Sequence, residues 1–246
     1  MKRLKVLLSA TAIVLLLGTI GFLNHTDDTK VAAVPGSPAR IFLYGEKHGV
    51  DTIINQEYEL WHKHYHSDGM RHLFLELPYF SAEFLNIWLQ EDSDEILNAL
   101  YDDLEGTAAH VPAVKEFYRR IKADCPDTVF HGTDVGHQFY STGERYLEYL
   151  EQHHLEDSRQ YALAEEAIRQ GEQFYENSDF VYRENKMAEN FIREFDSLAG
   201  ERVMGIYGGS HTRPDALDYS GRVSCMAKQL KDHYGDIIYS EQLSGK

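Results

Sequence analysis

The chain has 246 residues, 43% of them hydrophobic and 26% charged, and a formal net charge of −16. That balance suits one sizeable α/β core, and six prolines with no repeat exclude a disordered chain or a solenoid. The acidity repels phosphate backbones, so nucleic acid is not an expected partner, and the excess charge reads most simply as solubility.

Met1-Lys2-Arg3-Leu4-Lys5 is a basic start, and Val6 to Leu23 is an uncharged, mostly apolar stretch. Residues 1–23 therefore read as a signal anchor or a signal peptide. The uncleaved anchor is the favoured form, because no small-x-small cleavage site follows directly. Either form places the body outside the cytoplasm, attached to the membrane or secreted. Residues 24–39, with Pro35, Gly36, Ser37 and Pro38, read as a linker, and residues 40–246 as one domain.

Within the domain, Ile41 to Tyr44 forms an apolar run that meets Gly45-Glu46-Lys47-His48-Gly49. Asp51 to His66 follows with helical spacing of Ile53, Ile54, Tyr58 and Trp61. Of His62, His64 and His66 only the outer two share a helix face, so this cluster reads as a solvated face rather than a metal site. Leu73 to Leu75 is a second buried-looking strand, ending in Glu76. Ser81 is placed to cap a helix reaching Gln90, and helices are expected over Asp94–Leu104 and Val111–Ala123.

Thr128 to Phe130 is a third strand, running into Gly132-Thr133-Asp134-Val135-Gly136-His137. Ser141 to Glu176 has a helical pattern broken near Glu156-Asp157-Ser158. Asp179 is placed to cap a helix from Phe180 to Leu198. Val203 to Tyr207 is a fourth strand, ending in Gly208-Gly209-Ser210-His211. A helix over Gly221–His233 and a strand over Asp236–Tyr239 close the chain. Strands alternating with helices predict a largely parallel central sheet flanked by helices, with Ser141 to Ala199 a helical insertion over the strand ends.

Parallel strands bring their carboxyl ends to one edge, where ligands bind. Glu46, His48, Glu76, Asp134 and His211 then converge. A carboxylate such as Glu76 at the end of a buried strand is costly unless paired or metal-bound. Its structural partners would be Arg71 or Arg183. Arg183 and Asn185 could aim an arginine and an amide at the acids, Arg183 holding a developing oxyanion and Asn185, with Asp134, holding ligand. His137 reads as a satisfied loop histidine. Ser210 does not make a nucleophile elbow, because Thr212 stands where the second glycine belongs. Cys125 and Cys225 could form a disulfide in an exported chain, but nothing in the sequence brings them together.

Gly45-Glu46-x-His48, Glu76 after an apolar strand, Gly132-x-Asp134, Arg183-x-Asn185-x-Met187-Ala188 and Gly208-x-x-His211 together resemble the Tiki/TraB superfamily. That superfamily includes erythromycin esterases and ChaN-type haem-uptake proteins. The resemblance spans residues 41–212. It implies one α/β domain whose site is built from the paired Gly-x-x-His turns, the glutamate and the arginine. It implies one of several activities: metal-dependent peptidase for Tiki proteins, lactone opening without a required metal for the esterases, and haem binding for the ChaN type. The esterases carry one more residue between their Glu and His than this chain does.

The leading expectation is an extracytoplasmic hydrolase of ester or amide bonds, with a small molecule or peptide as substrate. Its catalytic residues would be Glu46, His48, Glu76, Arg183 and His211. Water would be activated by His48 directly, or by a divalent ion on His48, Glu76 and His211. The competing expectation is a non-catalytic protein that binds haem or another small ligand. In that reading Tyr44, Tyr79 or Tyr207, near the strand ends, would supply an iron ligand.

Overall fold

The computed structural model describes residues 39–244. The N-terminal apolar segment and most of the linker lie outside these residues. Among those described, no helix is long and apolar enough to cross a membrane.

The apolar runs form β1 (Ile41–Glu46), β2 (His72–Pro78), β3 (Val129–Asp134), β4 (Val203–Gly208) and β5 (Ile238–Gln242). The helices are α1 (Asp51–Ser67), α2 (Tyr79–Leu89), α3 (Glu95–Asp102), α4 (Pro112–Asp124), α5 (Glu144–Gln152), α6 (Arg159–Asn177), α7 (Phe180–Asp196) and α8 (Met226–Tyr234). All strand pairings are parallel, and the sheet order is β3-β2-β4-β1-β5.

Alternation along the strands divides the core. Phe42, Tyr44, Leu73, Leu75, Phe130 and Ile206 face one way, into a cluster with α1, α2 and α4. Ile41, Leu43, Phe74, Val203 and Tyr207 face the other way, under α7 and α8. Both sides are covered, which is why these strands read as continuous apolar runs. The path from β1 to β2 moves one way across the sheet and that from β4 to β5 moves the other. Right-handed crossovers in opposite directions put their helices on opposite faces, leaving a crevice at the carboxyl ends of β1 and β4.

The expected helical insertion divides in two. α5 and α6 pack beside α2, around Phe80, Phe84, Tyr146, Leu150 and Ala167. α7 covers the sheet, with Met187, Ala188, Phe191 and Phe195 on its inner face. The N-terminal turn of α7 reaches the strand ends, and α6 meets the segment after β3, where the Gly136 amide donates to the Ala167 carbonyl. Ser158 and Asp179 cap α6 and α7 through their side chains.

Three boundaries differ from the sequence reading: the closing strand starts at Ile238, not Asp236, because Gly235–Ile237 forms a short 3-10 turn, and two helices begin elsewhere. α2 starts directly after Pro78, whose extended backbone serves as the N-cap, so Ser81 lies inside the helix and caps nothing. α8 starts at Met226 because Asp218 Oδ1 accepts from the amides of Arg222 and Val223, folding that stretch into a turn. Cys125 and Cys225 are both free and buried, in clusters on opposite faces of the sheet.

Candidate active site

The turn after β1 delivers Glu46 and His48. Gly49 makes it possible: its φ is +72°, and a Cβ there would lie 2.3 Å from the Ala108 carbonyl oxygen. His48 Nδ1 pairs with the Glu46 carboxylate, which leaves Nε2 directed toward Glu76 Oε1 at 4.0 Å. The His48 side chain is 51% exposed, so the imidazole is reached from solvent. The hydrogen bond that Nδ1 donates to Glu46 raises the His48 pKa to about 9 against the opposing effect of burial, with the Glu76 charge adding to the rise.

Glu76 stands where the β2–β3 register shifts, between Leu75 and Pro78. Such an irregularity re-aims a side chain at the end of a strand. Oε2 accepts from the Gly208 amide at 2.5 Å and Oε1 from Arg183 Nη2 at 2.6 Å. A Cβ on residue 208 would lie 3.2 Å from Glu76 Oε2 and 3.3 Å from His48 Nε2, so glycine there lets the β4 backbone approach both.

Arg183 is in the first turn of α7, four residues before the buried Met187 and on the same face. Nε and Nη2 bond the fully buried Asp134 at the end of β3, while Nη2 also holds Glu76, so one guanidinium clamps two strands. Burial disfavours each charge separately. Arg183 nevertheless holds the Asp134 carboxyl far below the usual range, and His211 and Arg183 together lower that of Glu76. Nη1 of Arg183 has no hydrogen-bond partner among the described residues.

His211 follows the glycine turn after β4. Its Nε2 lies 3.6 Å from Glu76 Oε1 and its Nδ1 bonds Glu184 Oε2 at 2.6 Å. The other Glu184 oxygen accepts from the Met226 amide at the start of α8, a favourable place for an acid. Burial lowers the His211 pKa, but Glu184 and Glu76 outweigh it and the net shift is upward. The carboxylates of Glu46, Glu76, Asp134 and Glu184 thus surround the Arg183 guanidinium and the His48 and His211 imidazoles, whose pKa values they shift upward.

His48 and Glu76 form a wall common to two recesses. One, of about 110 Å³, is largely apolar, with Ile54, Leu77, Val114, Phe117 and Tyr118 beside Glu46 and Glu57. The other, of about 200 Å³, is polar, with Arg183, Glu184, Ser210, His211 and Asp218, and is bordered by Phe180 and Tyr219. Phe180 and Tyr219 pack edge to face and are 36% and 66% exposed.

Glu46, His48, Glu76, Asp134, Arg183 and His211 are therefore brought together, but not every expected residue joins them. Asn185 lines neither recess; its amide oxygen accepts from Gln229 on α8, because helical rotation carries it away from the Arg183 face. Asp134 has no exposed side-chain surface and orients Arg183 and His137 instead of meeting ligand. His137 is satisfied, between Asp134 and the Tyr175 hydroxyl. Glu76 takes Arg183, while Arg71 bonds backbone carbonyls elsewhere. His64 is not solvated: it is buried, between the Tyr44 hydroxyl and Asp68. Tyr44, Tyr79 and Tyr207 are all buried, with Tyr207 bonded to Thr133, so none of the three reaches the recesses.

Two acidic site residues are new from the structure, Glu57 and Glu184, beside the aromatic pair Phe180 and Tyr219. Each has a signal in the sequence. Glu57 lies four residues before Trp61, and Glu184 lies three before Met187, each on the buried stripe of its helix.

Glu46, His48 and Glu76 each offer a ligand atom within 4.8 Å of the others, and His211 faces the same glutamate oxygen. Donor type and number suit a divalent ion. The electrostatics do not. Arg183 already occupies Glu76 Oε1, so an ion on that oxygen would sit against a guanidinium fixed by buried Asp134.

No protein-family model matches the chain, and no curated protein matches it in sequence. Solved structures do match in shape. A mutant erythromycin esterase in its open conformation superposes with a TM-score of 0.60 at 12% identity, over 83% of this chain and 70% of that one. This chain shares that fold. A succinoglycan biosynthesis protein matches with a TM-score of 0.59 at 14% identity, over 82% and 65%. A protein from Bacillus cereus matches with a TM-score of 0.58 at 13% identity, over 84% and 66%. The matches cover about two thirds of the length of these neighbours.

Proposed function

We propose that the domain hydrolyses an ester or amide bond, peptide bonds included, with His48 activating water directly. The observation that carries this is the shared wall: a substrate lying across both recesses presents the bond between its two parts to His48 Nε2 and Glu76. Glu46 holds Nδ1 and so fixes the ring and its tautomer. The free-base form of His48 takes a proton from water as the water attacks the carbonyl carbon, and returns it to the leaving oxygen or nitrogen. Arg183 and His211, both lining the polar recess, stabilise the oxyanion. Phe180 and Tyr219 offer aromatic surface to the apolar part of the substrate. In this reading the apolar N-terminal segment places the reaction outside the cytoplasm.

Ser210 is not the nucleophile here. It is exposed, and His211 spends its Nδ1 on Glu184. The test is a library of esters and peptides assayed with the wild-type chain and His48→Ala, with and without chelator. Turnover that survives chelator and falls roughly 100-fold or more in His48→Ala is expected, the usual weight of a general base. Absence of turnover throughout, or an unimpaired His48→Ala, overturns the reading.

A further inference from the structure

We propose that the apolar recess beside His48 receives a short aliphatic amine of the substrate, whose ammonium group pairs with Glu57. The inference rests on the hydrolase reading only for the position of this group, next to the bond that is cleaved.

Glu57 is an unusual residue to find on the inner face of α1. It is only 6% exposed, and its Oε1 is buried without a hydrogen-bond partner among the described residues. An orphan carboxyl oxygen in such a place carries its full desolvation cost, more so when charged. Burial and the nearby charge of Glu46 push its pKa up to about 8, against the lowering effect of His48. The group lines a recess of about 110 Å³, several times the space needed by one water.

The lining decides the class of ligand. Ile54, Leu75, Leu77, Val114, Phe117 and Ile206 accept a methylene chain. Glu46, Glu57 and Glu76 outnumber the one basic group of the lining, His48, and so disfavour a carboxylate or phosphate. An uncharged alkyl group fills the recess but leaves the Glu57 oxygen orphaned. An alkylammonium supplies both the donor and the countercharge, with its stem against the apolar wall. Because His48 and Glu76 also line this recess, the amine belongs to a side chain adjacent to the scissile carbonyl. The substrate class is thus an ester or amide of a basic, lysine-like unit.

The test has a binding arm and a turnover arm, both with the full-length chain at pH 8 with EDTA. In the first, n-butylammonium, 1-butanol and butyrate are titrated by NMR. The ammonium is expected to bind at least tenfold tighter than the alcohol, butyrate not to bind, and the gap to close in the near-isosteric Glu57→Gln. In the second, a lysine ester is expected to exceed its norleucine counterpart at least tenfold in kcat/KM, again only with Glu57 present. Equal binding of ammonium and alcohol in the wild type overturns the proposal without reliance on any variant, as does a gap that persists in Glu57→Gln. If the ammonium binds selectively but no ester is cleaved, the subsite stands and the hydrolase reading falls. If esters are cleaved without preference for the amine, the hydrolase reading stands and the subsite falls.

Discussion

The state of the His48 proton decides how the proposed site works, and replacing Glu46 by Gln tests it. In the wild type the Glu46 contact is the largest cause of a pKa raised from the ordinary 6.5 to about 9, with Glu76 adding to it and Arg183 opposing. Half of the imidazole is open to water, which screens Glu76 and Arg183 more than the directly bonded Glu46. Glu46→Gln keeps a hydrogen-bond acceptor but removes the charge. The His48 pKa should then fall by about one to two units. At pH 7 a group of pKa 9 is about 1% free base, and at pH 8 about 10%, so wild-type kcat/KM should rise roughly tenfold across that unit and level off above 9. In Glu46→Gln the plateau should begin about one to two units lower and stand lower, because the base is weaker and less well oriented. The pKa needs no substrate to measure: the Cε1–H resonance of His48, followed by NMR against pH, reports it directly. Wild-type His48 titrating near 6.5, or a value unmoved in Glu46→Gln, would refute the pairing of Glu46 with His48 and the proton inventory built on it.

Arg183→Met should cost about 3–5 kcal/mol in urea unfolding, because it leaves the Asp134 and Glu76 carboxylates buried without their cation. Arg183→Lys should recover little, since one ammonium does not reproduce the Nε and Nη2 fork; full recovery would mean that charge alone suffices. Stability should also follow pH with a definite sign. His48 and His211 bind protons more tightly folded than unfolded, so their contribution is complete below the unfolded value of about 6.5; that of His48 is lost as pH rises to about 9, and that of His211 as pH rises through its raised folded value. Glu76 and Asp134 are shifted down, so theirs is present above about 4 and lost on acidification below it. Tm should therefore decline on both sides, and a curve still rising from pH 7 to 9 would contradict the upward shifts of the two imidazoles. Gly208→Ala places a methyl group 3.2–3.3 Å from Glu76 and His48. Turnover should drop at least tenfold while Tm moves by only a few degrees, and a fully active variant would show that the close approach of β4 is dispensable.

The fold and most of the site are legible in the sequence because both depend on strand ends. A run such as Val203 to Tyr207 announces a strand buried on both faces, and the polar residue that ends it must lie on the carboxyl edge of a parallel sheet. That logic alone places His48, Glu76, Asp134 and His211. Side chains contributed by helices are harder to place. Arg183 and Asn185 are two positions apart, so rotation about the α7 axis sends the first into the site and the second toward Gln229. His64 reads from its histidine neighbours as solvated, although it follows Trp61 by three positions and precedes Tyr65 on the buried stripe.

Glu57 and Glu184 escape a sequence reading for a related reason. A charged residue on an apolar helix face looks like an interruption of the pattern until the structure shows what it faces. Glu184 faces His211 and the first amide of α8, and its burial is explained by two partners. Glu57 faces a recess and has an oxygen with none among the described residues. Both are buried acids one helical turn from a core residue, and in a folded chain such an acid must be satisfied from within or from outside. For Glu184 the protein supplies the satisfaction itself. For Glu57 the same requirement points outward, to whatever enters the recess beside His48.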